Sequence, residues 1–453
     1  MELTGTNQNK MGTAPMFRLI ISMALPAMFS MIIQALYNIV DSIFVSLISD
    51  KALTAVSLAY PVQMLLISVA VGTGVGINSL VSRKLGEGDR YQADCAAVHG
   101  LVLGVFSWVL FAILGLTITK PFFTFYTNDP EIFNMGVSYL SCVMIFSFGL
   151  FVEVNVEKTL QATGNMIQPM IFMLIGAVTN IILDPMFIFG FWIFPELGVL
   201  GAAVATVISQ ILSMVYAIII LFVRKHEIKI RFRGFKLNFS TIKNIYAVGV
   251  PAIVMQSIGS VMLLFMNQIL VGFSTAAVSV LGVYFKLQSF VFMPVFGLNQ
   301  GVMPIMGYNY GAQNKKRLLL ALKYACLIAF VIMVAGTAAF WLCPEILLSM
   351  FSPTQEMINI GVPALRTISL CFIPATVGII FSSLFQAVGK GVRSLFVSFL
   401  RQLIVILPVA YAFSFVGLEA VWCAFPIAEI VALVTSLLMF RNLLHGDFKR
   451  LDK

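Results

Sequence analysis

The chain has 453 residues, of which 60% are hydrophobic and only 10% charged, with a mean hydropathy of +0.99 and a net charge of +9. Soluble domains are about 45–50% apolar and about 25% charged, so a soluble enzyme would expose an insoluble surface and a disordered chain would need the opposite composition. What remains is an all-α polytopic membrane protein.

A spanning helix needs about 20 mostly apolar residues to cross a hydrocarbon core about 30 Å thick. Twelve segments meet that requirement in chain order: 17–46, 52–82, 94–119, 132–162, 168–190 and 198–223, then 241–272, 276–305, 317–342, 356–387, 391–415 and 418–441. Short connections separate them, marked by Gly86-Glu-Gly-Asp89, Asn128-Asp-Pro130 and Ser352-Pro353. The expected organisation is a tail over 1–16, a first lobe over 17–223, a basic linker over 224–240, a second lobe over 241–441 and a tail over 442–453. The first apolar run is too long for a cleavable signal.

Lys and Arg remain on the cytoplasmic side of spanning helices. The termini and even-numbered loops hold 22 of the 28 basic residues, whereas the odd-numbered loops hold only Lys51 and Lys120. Both termini and the linker are therefore expected in the cytoplasm of a cell whose plasma membrane carries the protein. The positive charge is accounted for by topology and anionic lipid, and points to no nucleic acid. Six scattered cysteines and three separate histidines suggest neither disulfides nor a metal cluster.

A shift of 225 residues superimposes the halves: Pro26 meets Pro251, Gly72 meets Gly297, Gly76 meets Gly301, and Gln161-Ala162-x-Gly164 meets Gln386-Ala387-x-Gly389. Six spans per half is an even number, so the repeats are parallel, as in many secondary transporters. Pro26, Pro185, Pro251, Pro294, Pro304 and Pro374 are places where helices can bend.

Within this arrangement lie Ala24-Leu-Pro26 with Tyr37-Asn-Ile-Val-Asp41, and Gly72-Thr-Gly-Val-Gly76 with Ser82-Arg-Lys-Leu-Gly-Glu-Gly-Asp89. Gln161-Ala-Thr-Gly-Asn165, Thr179-Asn-Ile-Ile-Leu-Asp-Pro185 and Gly198-Val-Leu-Gly-Ala-Ala-Val-Ala-Thr206 follow. With these segments in this order the chain resembles the multidrug and toxic compound extrusion (MATE) transporters, in particular their DinF-like, MepA-like branch. The resemblance runs from about Phe17 to Arg441. It implies two six-helix lobes and cation-coupled export of amphiphilic, often cationic, compounds.

A carboxylate at the centre of a spanning helix costs at least about 2.5–3.5 kcal/mol, so it has a task or a partner. Asp41, Glu153, Glu157, Asp184 and Glu429 qualify, four of them in the first half. The repeat places Met266 opposite Asp41 and Val409 opposite Asp184, which assigns coupling to the first lobe. By helical rise, Asp41 and Asp184 lie about 8 and 9 Å inside the outer ends of their spans. Asn180 shares the face of Asp184, and Thr206 lies slightly deeper. Such oxygen groups suit a hard cation, and two close carboxylates equally suit a shared proton. The resemblance likewise implies a first-lobe cation site at Asp41, Asn180, Asp184 and Thr206. The bland readings are a helix cap for Asp184, before Pro185, and a structural hydrogen bond for Asp41.

Glu153 and Glu157 are one turn apart, beside Lys158, and read either as an inner relay or cargo carboxylates, or as a local ion pair. Lys286, Arg366 and Glu429 near mid-span are expected to pair with one another in the second lobe. Tyr37, Tyr139, Met173, Gln256, Met262, Tyr284 and Met293 are candidates for a promiscuous pocket, or else for packing and lipid contact. No catalytic set and no Walker A motif is present, so neither an enzyme nor direct ATP drive is expected. The expected protein is a monomeric secondary antiporter coupled to H+ or Na+, with small amphiphilic substrates, the bilayer as its other partner and no further cofactor or metal. The alternatives are a lipid-linked-precursor flippase and a narrow-specificity metabolite exporter of the same superfamily.

Overall fold

The structure is a computed structural model and describes residues 9–191, 194–223, 226–232, 235–351 and 353–452. Residues 1–8, Trp192, Ile193, Ser352, Lys453 and four linker positions (224, 225, 233, 234) lie outside the described residues.

The first repeat comprises α1 (Met16–Ser46), α2 (Asp50–Gly86), α3 (Arg90–Thr117), α4 (Pro130–Ile145), α5 (Phe148–Ala162), α6 (Ile167–Phe189) and α7 (Val199–Val223). The second comprises α8 (Phe239–Val271), α9 (Thr275–Gly311), α10 (Lys315–Leu342), α11 (Gln355–Ser369), α12 (Phe372–Ala387), α13 (Gly391–Ser414) and α14 (Leu418–Lys449). Ten of these are long and apolar enough to cross a membrane alone. The pairs α4–α5 and α11–α12 each form one span bent by 45° and 48°, making twelve among the described residues. The predicted fold class therefore stands. The bends fall at Phe146–Ser147 and at Leu370–Cys371, and not at a proline. Helices run on through Pro26, Pro185, Pro251, Pro294 and Pro304.

The 225-residue repeat extends to the helix-starting devices. Asp89 accepts from the Gln92 N–H at 3.0 Å, and Asn314, 225 residues on, accepts from the Arg317 N–H at 3.1 Å. Asp129 accepts from Glu131 N–H at 2.9 Å, and its counterpart Thr354 accepts from Met357 N–H at 3.3 Å. Each satisfies an orphan donor at a helix N-terminus. The left-handed turn residues recur in the same register, with Gly164 at φ +88° and Gly389 at +80°.

Close contacts divide the described chain into two compact units. One holds Met1–Met28, Leu85–Gly88 and Val254–Lys453; the other holds Phe29–Lys84 and Asp89–Ile253. Thus each repeat's own first helix is divided between them, with α1 cut at Met28 and α8 at Ile253, positions 225 residues apart. Inside the first unit, α1 packs on α9, where a Cβ on Gly301 would lie 2.9 Å from Ala24 backbone atoms. Its N-terminal segment is tied down by Arg317, which donates to the carbonyls of Met11 at 3.2 Å and Ala14 at 2.8 Å. Inside the second unit, α8 packs on α2 in the matching way, with a Cβ on Gly72 falling 2.8 Å from Ile253 N. Gly76 sits directly against the Ile245 carbonyl. No side chain fits between these backbones, so the repeated glycines are contact sites.

The linker also packs. Ile228 is buried, the Lys229 N–H donates to Asp94 at 2.8 Å, and the Asn238 N–H donates to His99 Nε2 at 2.8 Å. In the odd-numbered loops Lys51 bridges Asp129 (3.0 Å) and Glu131 (2.7 Å), and its hydrogen bond holds the Asp129 carboxyl below the usual carboxylate range. That contact puts the first and third loops at one end of the second unit.

Gly76→Ala is expected to overpack the α2–α8 contact and cost about 1–3 kcal/mol. Gly282→Ala, where nothing lies within 4 Å of the new Cβ, is expected to be neutral or to stabilise slightly, by at most about 1 kcal/mol. Thermal unfolding of the two purified variants in one detergent checks the contrast.

Candidate functional site

The site lies within the second unit, where α1, α6 and α7 place polar groups at one level. Asp184 and Asn180 are one turn apart on α6 and both fully buried, and Thr206 on α7 is 3% exposed. In the amide orientation that satisfies both ends of Asn180, its nitrogen donates to Asp184 Oδ2 at 2.8 Å. Its oxygen then accepts from the Thr206 hydroxyl and backbone N–H, each at 3.3 Å. Tyr37 of α1 lies close to Thr206 and to both Asp41 and Asp184.

Asp41, one turn beyond Tyr37, lies close to the Asp184 carboxyl group. Two close carboxylates repel when both are ionised, an arrangement suited to one proton or one hard cation between them. Tyr139 of α4 is buried beside the pair and donates to Gln63 at 3.4 Å. Asp41 also opens onto a cavity of about 190 Å³ between α1 and α2, lined by Ser42, Val45, Leu53, Val56, Ser57 and Tyr60. Asp41 thus stands where a buried polar network meets a cavity.

All four predicted coupling residues are brought together, joined by Tyr37 and Tyr139 from the predicted pocket set. Asp184 lies inside α6, five residues before its end, and caps nothing. Helix α6 continues through Pro185, whose missing N–H removes one rung of the ladder beside the site. Met173 is half-buried on α6, one face below the network.

Glu157 forms the local ion pair: its Oε1 accepts from Lys158 Nζ at 2.9 Å and from Gln161 Nε2 at 2.6 Å. Lys158 also donates to Gln161 Oε1 at 3.1 Å. Glu153, one turn earlier on the same helix, is half-buried.

The second-lobe expectation is corrected. Lys286, Arg366 and Glu429 do not pair with one another: Glu429 accepts from Arg401 at 2.9 Å. Lys286 lies 5.8 Å over the Phe351 ring, and Arg366 donates to the Trp341 carbonyl at 3.3 Å. Arg401, within the π-helical stretch Leu400–Ile406 of α13, occupies the position facing Glu429 and leaves Lys286 and Arg366 to other partners. Tyr284 stands in an aromatic core with Phe285, Phe340, Phe372 and Phe425, and Met262 is buried, while Gln256 is exposed and Met293 half-buried.

Known transporters are similar to the chain in sequence and in fold. The MatE family model matches residues 26–186 and 251–412. The chain is 25% identical over 428 residues to the multidrug export protein MepA of Staphylococcus aureus, covering 94% of each. It is 26% identical to an FAD transporter of Shewanella oneidensis, over 92% of this chain and 93% of the relative. Among solved structures, a MOP superfamily transporter from Pyrococcus furiosus is 28% identical, with a TM-score of 0.91 over the whole of both chains. An outward-facing multidrug resistance MATE family transporter matches equally well, at 28% identity and a TM-score of 0.91 over 99% of this chain and 100% of that one.

Removing one partner of the Arg401–Glu429 pair strands the other charge. Arg401→Met and Glu429→Gln are each expected to cost about 3 kcal/mol, the low end for buried pairs because Arg401 is partly exposed. The double variant is expected to recover most of that loss. Melting curves of the three proteins check the cycle.

Proposed function

Since the chain belongs to the MatE family of membrane transporters, we propose that it is a secondary antiporter, exporting amphiphilic, often cationic compounds in exchange for protons taken up at Asp41 and Asp184. The observation that carries this reading is the proximity of those two carboxyl groups, Asp184 bonded to Asn180 inside the protein and Asp41 opening onto a cavity. Two ionised carboxylates in contact repel, and a single shared proton removes that repulsion. When the proton leaves, the pair must separate or take up another cation, and Asp41 is on α1 while Asp184 is on α6. Proton occupancy thereby changes the energy of one helix against another, which is what a coupled transporter requires. Na+ is the second ion with the same ligand preference, since the network is built of oxygens.

The buried rings and thioethers of the family's expected pocket accept varied apolar shapes, and the acidic site favours positive charge. The similarity to an FAD transporter supports a second reading, a narrow-specificity metabolite exporter. The distribution of basic residues supports a plasma-membrane orientation with both termini in the cytoplasm.

Export assayed in everted vesicles, with pH and sodium gradients imposed separately, tests this. Uptake of a hydrophobic cationic dye is expected to follow the pH gradient with sodium absent. Asp41→Asn and Asp184→Asn are expected to abolish gradient-driven uptake while inserting normally, because each removes the shared titrating pair. Full activity of either variant, or strict dependence on sodium at clamped pH, would contradict the proposal.

A further inference from the structure

We propose that His99 is a pH-sensitive latch: its neutral ring ties the basic linker to α3, and protonation of the ring releases the linker at the start of α8. This goes beyond the antiport reading and holds whichever ion is coupled.

Two hydrogen bonds fix the state of the ring. His99 Nδ1 lies 2.8 Å from the Cys95 carbonyl, and a carbonyl only accepts, so Nδ1 carries a proton. Nε2 lies 2.8 Å from the Asn238 backbone nitrogen, and a backbone N–H only donates, so Nε2 presents a lone pair. Both bonds close together only for the neutral ring in its Nδ1–H form. A second proton would occupy the Nε2 lone pair and set one N–H against another, which breaks the tie to Asn238. The other two histidines differ. His226 Nε2 meets the Ile220 carbonyl at 2.9 Å and His445 Nδ1 the Arg441 carbonyl at 2.8 Å, bonds that a charged ring keeps.

The linker covers the ring. Phe235 packs edge-on against His99 with centroids 4.8 Å apart, and the imidazole is fully buried. On α3 itself, Cys95 Sγ lies 3.5 Å from Nδ1, and Asp94 accepts from the Lys229 N–H with Arg90 and Arg231 near it. Helix α8 brings the uncharged Thr241 beside Cys95. Helix α2 packs through Ile77 on Gly100 and carries Arg83 and Lys84 further along; α5 packs through Asn155 on Gly104 and carries Glu153 and the paired Glu157 and Lys158. Among the described residues no carboxylate is hydrogen-bonded to the ring, so a charged imidazole gains no partner for the one it loses.

The tie is placed to matter. Asn238 is the residue before α8, and its side chain accepts from the Ser240 N–H at 2.9 Å. The first half of α8 then packs backbone to backbone on α2 at Gly72 and Gly76. The latch therefore fixes where α8 enters the second unit. His99 is nine residues into α3, about 14 Å from its start, so a proton from water reaches Nε2 when the linker lifts and then keeps it from closing. Histidine changes charge between about pH 5 and 8. The tie is complete at the upper end of that range and lost toward the lower. With the linker on the cytoplasmic side, as its basic residues indicate, an acidified cytoplasm opens the latch.

Nitrogen NMR of histidine-labelled protein and hydrogen exchange test this. At about pH 8 the spectrum is expected to contain a neutral Nδ1–H histidine that is missing in His99→Gln. Backbone protection over residues 235–240, corrected for the intrinsic pH dependence of exchange, is expected to fall about tenfold or more from about pH 8 to about pH 5.5, as that ring gains its second proton. His99→Gln, whose amide oxygen accepts at every pH, is expected to keep the protection in acid, and His99→Leu, which has no acceptor, to lack it throughout. Substrate exchange across proteoliposomes at equal pH is expected to drop about fivefold more in the wild type than in His99→Gln over that range. Wild-type protection indifferent to pH, or a His99 ring protonated on Nε2 at the upper pH, would overturn the proposal. Equal loss of protection in wild type and His99→Gln would overturn it as well.

Discussion

Two carboxyl groups inside membrane-spanning helices are the constraint on which the site depends. Each would cost several kcal/mol if charged and alone. Asp184 lowers that cost by accepting from Asn180 at 2.8 Å, and Asp41 by opening onto a cavity. Neither device is local in sequence except the one-turn spacing of Asn180 and Asp184. The rest of the second unit supplies the walls: α7 brings Thr206, α4 brings Tyr139, and α1 brings Tyr37 one turn before Asp41. Removing any helix would leave a polar group in a low-dielectric interior without its partner.

The other polar clusters show how the same cost is met without a titrating role. Glu157, Lys158 and Gln161 close a three-membered network in which every charge has an opposite. Arg401 and Glu429 do the same in the first unit. Asp41 and Asp184 differ from these because, among the described residues, neither forms an ion pair with a lysine or arginine. That division separates ion pairs that hold helices together from the carboxyls to which the proposed function assigns ion exchange.

Much of this was legible in the sequence, for physical reasons. Twelve spans follow from apolar runs of about membrane thickness, and the repeat follows from Gly and Pro in one register. That register reappears in the helix caps, where Asp89 and Asn314, or Asp129 and Thr354, perform one task with different side chains. Asp41, Asn180, Asp184 and Thr206 stood out because polar groups are rare in such runs and because depth can be counted along a helix. The Arg401–Glu429 pair was not legible, because the π-turn at Leu400–Ile406 breaks the periodicity from which facing residues are inferred. The docking of Asn238 on His99 joins positions 139 apart, with nothing in the spacing to announce it. The division of α1 and α8 between compact units also arises from tertiary packing alone, at glycines that a sequence shows only as repeated small residues.

The proton proposed to be shared by Asp41 and Asp184 is the centre of this account, and calorimetry tests it most directly. A cationic substrate would be titrated into purified protein in buffers of different ionisation enthalpy, without sodium. The account predicts that binding releases close to one proton per substrate, and that Asp41→Asn binds with none released. Binding with no proton exchanged in the wild type, or release of sodium in its place, would contradict it.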